Sequence, residues 1–336
     1  MADKLILAIE SSCDETACAI VRNGCEILSN VVSSQINIHQ KFGGVIPEVA
    51  SRIHVENISL VIEEALEKSG ITMEEVNFIA VTQGPGLIGS LHVGMMAAKT
   101  LAWLYKKPLL PLHHIAGHIY ANMFVEKLQF PLLALVVSGG HTELVYMKSN
   151  WNFEILGTTQ DDAIGEAYDK VARVLDLSYP GGPAIDKLAK EGKAHYKLPT
   201  CKTEKPYDFS FSGLKSAVLQ LIEREKRQAR EVVIADVAYA FQETALNDLV
   251  HKTILAMQQE AVCQLVVAGG VAANSRLRQK LTEELLKYPD IKLLLPPLWC
   301  CTDNAAMMGA AAFAALNHVP YADLTLSATA SKEISE

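Results

Sequence analysis

Leu5-Ile6-Leu7-Ala8-Ile9-Glu10-Ser11-Ser12-Cys13-Asp14-Glu15-Thr16 joins a β-branched apolar run to a small polar turn. The run predicts a buried strand. A second strand is expected over 17–21, a turn at Arg22-Asn23-Gly24, and a third strand over 25–32. The same sketch returns at Leu132-Leu133-Ala134-Leu135-Val136-Val137. There the turn is Ser138-Gly139-Gly140-His141-Thr142, followed by strands over 143–148 and 151–156 around Ser149-Asn150. Both halves therefore begin with a three-stranded meander.

The echo continues. Phe78-Ile79-Ala80-Val81-Thr82 leads to Gln83-Gly84-Pro85-Gly86, a helix to about residue 105 and a strand over 108–112. Gln264-Leu265-Val266-Val267-Ala268 leads to Gly269-Gly270-Val271-Ala272-Ala273-Asn274, a helix to about residue 287 and a strand over 292–295. Strands alternating with helices predict an α/β fold of two duplicated halves, 1–130 and 131–336, with ligands in the cleft between them. A C-terminal helix over 304–318 could pack back onto the first half. Further helices are expected over 46–70, with Gly70 as its cap, 164–175 and 232–259. The stretch Tyr179-Pro180-Gly181-Gly182-Pro183 reads as a stop, and the tail from Tyr321 as fraying.

Chemistry-bearing residues follow the last strand of each half. In the first they are His114 and His118; in the second, Asp303. On a helix, residues four apart share a face, so the two imidazoles can meet one divalent metal. A lone pair of this kind is a weak signal, and Asp303 supplies the third ligand that strengthens it. A zincin peptidase needs Glu after the first His of H-E-x-x-H. That position is Ile115, so a metallopeptidase is a poor fit.

The chain has 336 residues, half of them apolar and a fifth charged, which suits an ordinary globular protein of two domains. No run approaches the roughly 18 apolar residues of a membrane span. Glu10 ends the first apolar run too early for a signal peptide. The seven cysteines contain no C-x-x-C pair, which argues against a disulfide framework or zinc ribbon and for a cytoplasmic protein with reduced thiols. Cys300, Cys301, Met307 and Met308 read as core residues. The net charge of −8 provides no global field to steer a polyanion. Any RNA contact must use a local patch or a partner, and the mixed charges of 223–230 read as a solvated helix face.

Three glycine turns follow strands: Gly84-Pro85-Gly86, Gly139-Gly140 and Gly269-Gly270. Each could bring backbone N–H groups close to an anion. None matches a Walker loop or G-x-G-x-x-G, which argues against a P-loop NTPase or Rossmann dehydrogenase. Asp169 and Asp186 lie in segments that could meet ribose hydroxyls, although Arg173 is a competing partner for Asp169.

In combination these segments resemble the tRNA threonylcarbamoyladenosine transferase (TsaD) family over essentially the whole chain. The resemblance rests on Ser11 to Thr16, Phe42-Gly43-Gly44-Val45-Ile46-Pro47-Glu48 with Ser51-Arg52, Gly84-Pro85-Gly86, His114-Ile115-Ala116-Gly117-His118 and Val137 to His141. It also rests on Gly165-Glu166-Ala167, Pro180-Gly181-Gly182-Pro183, Phe209-Ser210-Phe211-Ser212-Gly213-Leu214-Lys215, Gly269-Gly270-Val271 with Asn274, and Thr302-Asp303-Asn304. The segments 35–39 and 209–215 resemble its bacterial branch.

The resemblance implies two RNase H-like domains of the actin/Hsp70/sugar-kinase fold with an interdomain cleft. It implies transfer of a threonylcarbamoyl group from threonylcarbamoyl-adenylate to N6 of adenosine 37, in tRNAs that read codons beginning with A, with release of AMP. His114, His118 and Asp303 would hold one divalent metal, Fe(II) or Zn(II). Val137, Ser138, Gly139, Gly140, His141, Asp169, Gly182, Asp186 and Asn274 would bind the adenylate. Implied partners are tRNA, a silent paralogue (TsaB) and a small ATPase (TsaE), with no membrane. The residues suggest a metal that positions the donor, with backbone N–H groups near Ser138–Gly140 facing developing negative charge. Glu10, Asp14, Glu15 and His141 are the candidate general bases. Two alternatives stand beside this: a phosphotransferase of the same fold, and a non-catalytic scaffold.

Overall fold

The computed structural model describes residues 3–335. They form strands β1 (Leu5–Glu10), β2 (Glu15–Arg22), β3 (Glu26–Ser34), β4 (Phe78–Gly84), β5 (Leu109–His113), β6 (Leu132–Val137), β7 (Thr142–Met147), β8 (Glu154–Thr158), β9 (Gln264–Ala268) and β10 (Lys292–Leu294). The α-helices are α1 (Ile36–His39), α2 (Pro47–Ser69), α3 (Ile88–Tyr105), α4 (His114–Tyr120), α5 (Ile164–Val174), α6 (Gly181–Ala189), α7 (Ser212–Arg227), α8 (Ile234–Gln259), α9 (Ser275–Leu285), α10 (Leu298–Cys301) and α11 (Ala305–Ala315).

The chain divides into two compact units. One contains residues up to Leu128, Ser149–Phe153 and everything from Pro296; the other contains Gln129–Lys148 and Glu154–Leu295. The segment from Pro296 thus returns to the first unit, although it follows the second in sequence.

The first unit carries a sheet in the order β3-β2-β1-β4-β5. β1 and β2 are antiparallel with Leu5 opposite Arg22, and β1 runs parallel to β4 with Ile6 opposite Phe78. The turn between β2 and β3 has Asn23 at φ 53° and Gly24 at φ 71°, the left-handed pair that a tight hairpin favours. Period-two alternation sorts β1 into two faces. Leu7 and Ile9 enter a core with Ile58, Ile62, Met95 and Ala98 of α2 and α3. The alternate set ends in Glu10, on the face opposite that core. β2 alternates likewise: Cys18 and Ile20 join the same core, and Val21 faces α11.

Helix α11 packs this closely because its residues are small. A Cβ on Gly309 would lie 2.5 Å from Val21 Cγ2. Met307 and Met308 are fully buried, as expected of core packing. Helix α2 starts at a proline and ends at Gly70, φ 66°, where an L side chain would be strained.

The second unit repeats the design. Its sheet runs β10-β9-β6-β7-β8, with the first strand of the series central, a hairpin on one side and two parallel strands on the other. Val137 and the rest of β6 are fully buried.

Four local expectations differ from the structure. The strand predicted over 151–156 begins at Glu154. Trp151 is at φ 60°, donates its N–H to the Tyr120 hydroxyl at 3.0 Å and stacks on that ring at 5.3 Å. The Pro-Gly stretch expected to end the helix over 164–175 lies after the end of α5 but also starts a helix of its own, α6, where Gly181 N–H has an acceptor in Asp169 Oδ1 at 2.7 Å. Helix α7 was visible only as the charged face of its last turns; Asp161 accepts the N–H groups of Phe211 and Ser212 at its start. The tail after Tyr321 is bonded to β4 and β5 rather than frayed: Ala322 N–H donates to Leu109 O and Thr329 N–H to Gln83 O.

Candidate functional site

Residues of the first unit build a compact donor cluster. β5 ends at His113, and α4 begins at His114 with the His113 side chain accepting the Ile115 N–H. The helix that follows puts His114 and His118 one turn apart, with ring centroids 4.7 Å apart and planes at 88°. Asp303 approaches from the loop before α11. Asn304 caps that helix, accepting from Met307 N–H at 3.0 Å and donating to Thr302 O at 2.9 Å, which holds the backbone on either side of Asp303. α4 and α11 meet at Gly117, where a Cβ would lie 2.4 Å from Met308 Sδ.

His118 Nε2 lies 3.1 Å and His114 Nε2 3.6 Å from Asp303 Oδ1. One ligand atom from each of the three residues lies within 4.8 Å of the others. Two imidazole nitrogens and a carboxylate oxygen are a donor set that fits one divalent metal ion.

The surroundings of His114 complete the cluster. Its Nδ1 faces Glu10 Oε2 at 3.1 Å and Ser12 Oγ at 3.1 Å. Glu10 is fully buried and also accepts from Ser12 N–H and Thr82 Oγ1, both at 2.5 Å. A carboxylate can only accept, so Nδ1 carries a proton toward Glu10, and Nε2 is directed at Asp303. Burial alone would push the His114 imidazole down, but Asp303 and Glu10 outweigh it and raise its pKa to about 9. Burial likewise pushes Glu10 up, and the neighbouring His114 turns the net shift downward. The cluster therefore favours a positive charge among its carboxylates, as a cation site must.

Asp14 and Glu15 lie on the same turn, both nearly buried. Burial raises Glu15 to about 10, with Asp14 and Asp303 acting in the same direction, so it carries its proton at neutral pH. Cys13 beside them is pushed well up, chiefly by burial. Cys300 and Cys301 are buried, and burial followed by Cys301 raises the Cys300 thiol to about 12, as suits an inert core residue.

The second unit holds the other group of expected residues. Ser138 closes the turn after β6: its N–H donates to His141 O at 2.8 Å, and its Oγ accepts His141 N–H at 3.0 Å. Gly165 packs against this turn, where a Cβ would lie 2.6 Å from Ser138 O. Val137 contributes backbone only; its carbonyl lies 2.5 Å from where a Gly269 Cβ would be. Asp169 holds the start of α6, and burial leads the net upward shift of its carboxyl. Asp186 accepts from Ser275 N–H at 3.2 Å and Ser275 Oγ at 3.1 Å. Asn274 caps α9 through Leu277 N–H and donates to Gln242 at 2.9 Å. Gly139, Gly140, Gly182 and Gly270 have open space where a Cβ would stand. Ser275, Gln242 and Tyr168, which support this group, carried no sequence signal beyond being polar neighbours of it.

Gly84-Pro85-Gly86, expected to approach an anion, is instead occupied by protein. A Cβ on Gly84 would lie 2.0 Å from Thr329 O, and one on Gly86 2.5 Å from Ser12 O. These glycines permit backbone-to-backbone contact within the first unit.

Residues 26–310 match the family model of TsaD, tRNA N6-adenosine threonylcarbamoyltransferase. The chain is 54% identical over 331 residues to the Bacillus cereus protein named tRNA N6-adenosine threonylcarbamoyltransferase, covering 98% of this chain and 96% of that one. It is 57% identical over 310 residues to the Staphylococcus carnosus protein of the same name, covering 92% and 90%. Among solved structures, T. kodakarensis HypF is similar with TM-score 0.62 at 15% identity, over 93% of this chain and 47% of that one. Component A of (R)-2-hydroxyglutaryl-CoA dehydratase from Acidaminococcus fermentans is similar with TM-score 0.53 at 15% identity, over 94% and 99%. These two show the fold, the duplicated RNase H-like architecture of the actin/Hsp70/sugar-kinase class. With the helix that carries His114 and His118 brought to the loop that carries Asp303, and a family model spanning most of the sequence, the chain belongs to the tRNA N6-adenosine threonylcarbamoyltransferase family.

Proposed function

We propose that this chain transfers the threonylcarbamoyl group of threonylcarbamoyl-adenylate to N6 of adenosine 37 in tRNAs reading codons that begin with A. Near-full-length identity to proteins named for this reaction carries the proposal. N6 attacks the carbonyl carbon, the bond from that carbon to the adenylate phosphate oxygen breaks, AMP leaves, and N6 loses a proton. The donor is a mixed anhydride, so its leaving group needs little activation.

His114, His118 and Asp303 would hold one divalent metal, Fe(II) or Zn(II). Bound there, the ion would supply a positive charge that orients the donor and polarises its carbonyl. Glu10 and Ser12 orient the His114 ring. Gly139 and Gly140 offer backbone N–H groups beside open space, Ser138 closes the turn that carries them, and Asp169 and Asp186 accept hydrogen bonds from the ribose. Gly182 leaves room for the nucleotide, His141 and Val137 shape the turn, and Asn274 holds the Gly270–Ala273 turn in place. The base for N6 is drawn from Asp14 and His141. Glu10 is committed to three donors, and Glu15 is already protonated.

A silent paralogue (TsaB) and a small ATPase (TsaE) are the proposed protein partners. Support comes from a groove of about 710 Å³ between α2 and α3, lined by Val55, Ile58, Ile62, Leu66, Met96 and Leu101. Val55 and Met96 are 64% and 58% exposed there, which suits a surface covered by another protein. Among the described residues no helix is long and apolar enough to cross a membrane. We propose a cytoplasmic location, which the reading of the chain as a tRNA-modifying enzyme supports. The phosphotransferase alternative has only the shared fold behind it.

The test is transfer of labelled threonylcarbamoyl from purified adenylate to tRNA, with and without the partners and a chelator. Label on adenosine 37, lost with chelator and restored by metal, is expected. Consumption of ATP on a small molecule with no labelled tRNA would overturn the assignment.

A further inference from the structure

Six residues near the end of the described chain, Ser327–Lys332, lie against the Gly84-Pro85-Gly86 turn and reach the start of α4. Thr329 N–H donates to Gln83 O at 2.9 Å, and Gly86 N–H donates to Ala330 O at 3.1 Å. Gln83 Nε2 donates to Ser327 O at 3.2 Å, and Lys332 Nζ donates to Gln83 Oε1 at 3.0 Å. The fit is close enough that a Cβ on Gly84 would lie 2.0 Å from Thr329 O.

Two routes lead from this segment to His114. The first runs through His113, whose Nε2 lies 3.0 Å from Lys332 O and whose Nδ1 accepts Ile115 N–H at 3.2 Å. A carbonyl accepts at one ring nitrogen and an amide donates to the other, so one neutral tautomer satisfies both. His113 thereby ties the segment to the N-cap of α4, and His114 is the next residue. The second route runs through the glycine turn. Leu87 N–H donates to Ser12 O at 2.7 Å, and Ser12 Oγ faces His114 Nδ1 at 3.1 Å. A displacement of the segment would therefore move both the backbone that carries His114 and the serine that orients its ring.

We propose that Ser327–Lys332 is a strap that positions the metal site, acting through His113 on the start of α4 and through Gly86 on Ser12. This rests on the metal reading of His114, His118 and Asp303 and adds to it a positioning residue, His113, and a positioning segment. Metal sites respond to such supporting contacts because ligand orientation, and not only ligand identity, sets affinity.

Co²⁺ is the probe, since its visible absorption reports the geometry of its ligands. The variants are a chain cut after Leu326, His113→Asn and Thr329→Pro. Asn is a good N-cap, so His113→Asn keeps an acceptor for Ile115 N–H while losing the reach to Lys332. Thr329→Pro removes one strap N–H from an otherwise complete chain and replaces the truncation should the latter fail to fold. The expected result is Co²⁺ affinity weakened about tenfold or more in each, with an altered spectrum and a cooperative melt retained. Adding His113→Asn to the truncation should change little beyond the truncation alone, since the truncation already removes the Lys332 carbonyl that His113 reaches. Wild-type binding with unchanged affinity and spectrum in the variants would overturn the strap alone. Failure of the wild type to bind Co²⁺ would overturn the metal reading and the strap with it.

Discussion

Glu10 Oε2 lies 3.1 Å from His114 Nδ1, although the two residues are 104 positions apart in the chain. The carboxylate is fully buried and decides which nitrogen of His114 faces Asp303. Glu10→Gln keeps the volume but can present an N–H to the ring in place of an acceptor. Metal affinity is expected to fall about 10- to 100-fold, measured by competition with a chromophoric chelator. Unaltered affinity would show that the carboxylate does not orient the ligand.

The close approach of α4 and α11 is set at Gly117. Gly117→Ala puts a methyl group 2.4 Å from the Met308 thioether, which must swing aside. Overpacking of this kind costs about 1–3 kcal/mol. Chemical denaturation should show that loss, and Met308→Ala in the same chain should recover part of it. A Gly117→Ala protein as stable as wild type would mean the helices separate freely.

His54 ties α2 to the Ser11–Thr16 turn: Nδ1 faces Thr16 Oγ1 at 2.7 Å and Nε2 faces Cys13 O at 2.9 Å. Burial lowers its pKa below the ordinary 6.5, although the Cys13 carbonyl opposes the shift. The unfolded chain therefore binds a proton more readily than the folded one. The stabilisation is present above about pH 6.5 and declines as pH falls from there toward the lower folded value. Urea unfolding between pH 7.5 and 5 should show this slope, and His54→Gln should remove its share of it. Identical slopes in the two proteins would discount His54 as a contributor.

Asp186 is the most direct candidate for a ribose contact in the second unit. Asp186→Ala removes a charged acceptor worth about 1.5–3 kcal/mol, or roughly 10- to 100-fold in donor affinity. The effect should appear in KM for the adenylate with the metal content unchanged. A normal KM would confine Asp186 to its bonds with Ser275.

The α2–α3 groove predicts a phenotype that does not involve the metal. Met96→Glu places a charge where an apolar partner surface would be desolvated. Truncating or charging a central interface residue typically costs about 2 kcal/mol or more. Sedimentation with the purified paralogue should show weakened association, while Co²⁺ binding by the chain alone stays normal. Association at wild-type strength would move the partner to another face.

The α/β duplication was legible because its signals are local. Leu5–Glu10 and Leu132–Val137 are apolar runs followed by small-residue turns, and each opens a sheet with the same strand order. The pairing of His114 with His118 followed from helical spacing, whereas Asp303, expected to come from the second half, joins them within the first unit because the chain from Pro296 returns there. Helix α6 was hidden because glycine and proline oppose helix formation in isolation, and the carboxylate that starts it is twelve residues earlier at Asp169. The third strand of the second meander was misplaced because Trp151, a good strand residue by propensity, has its backbone N–H taken by Tyr120.

Sequence alone determined the fold class, the three candidate ligands and the family, since periodicity, turn chemistry and motif identity are properties of neighbours along the chain. Tertiary structure alone decided that Glu10 is a buried support for His114, that Gly84 and Gly86 are occupied by Thr329 and Ser12, and that the C-terminal segment is bonded to β4 and to His113. Those assignments depend on hydrogen-bond acceptors and free volume supplied by residues up to about 250 positions away. Neither quantity is encoded in the composition of the segment that receives it.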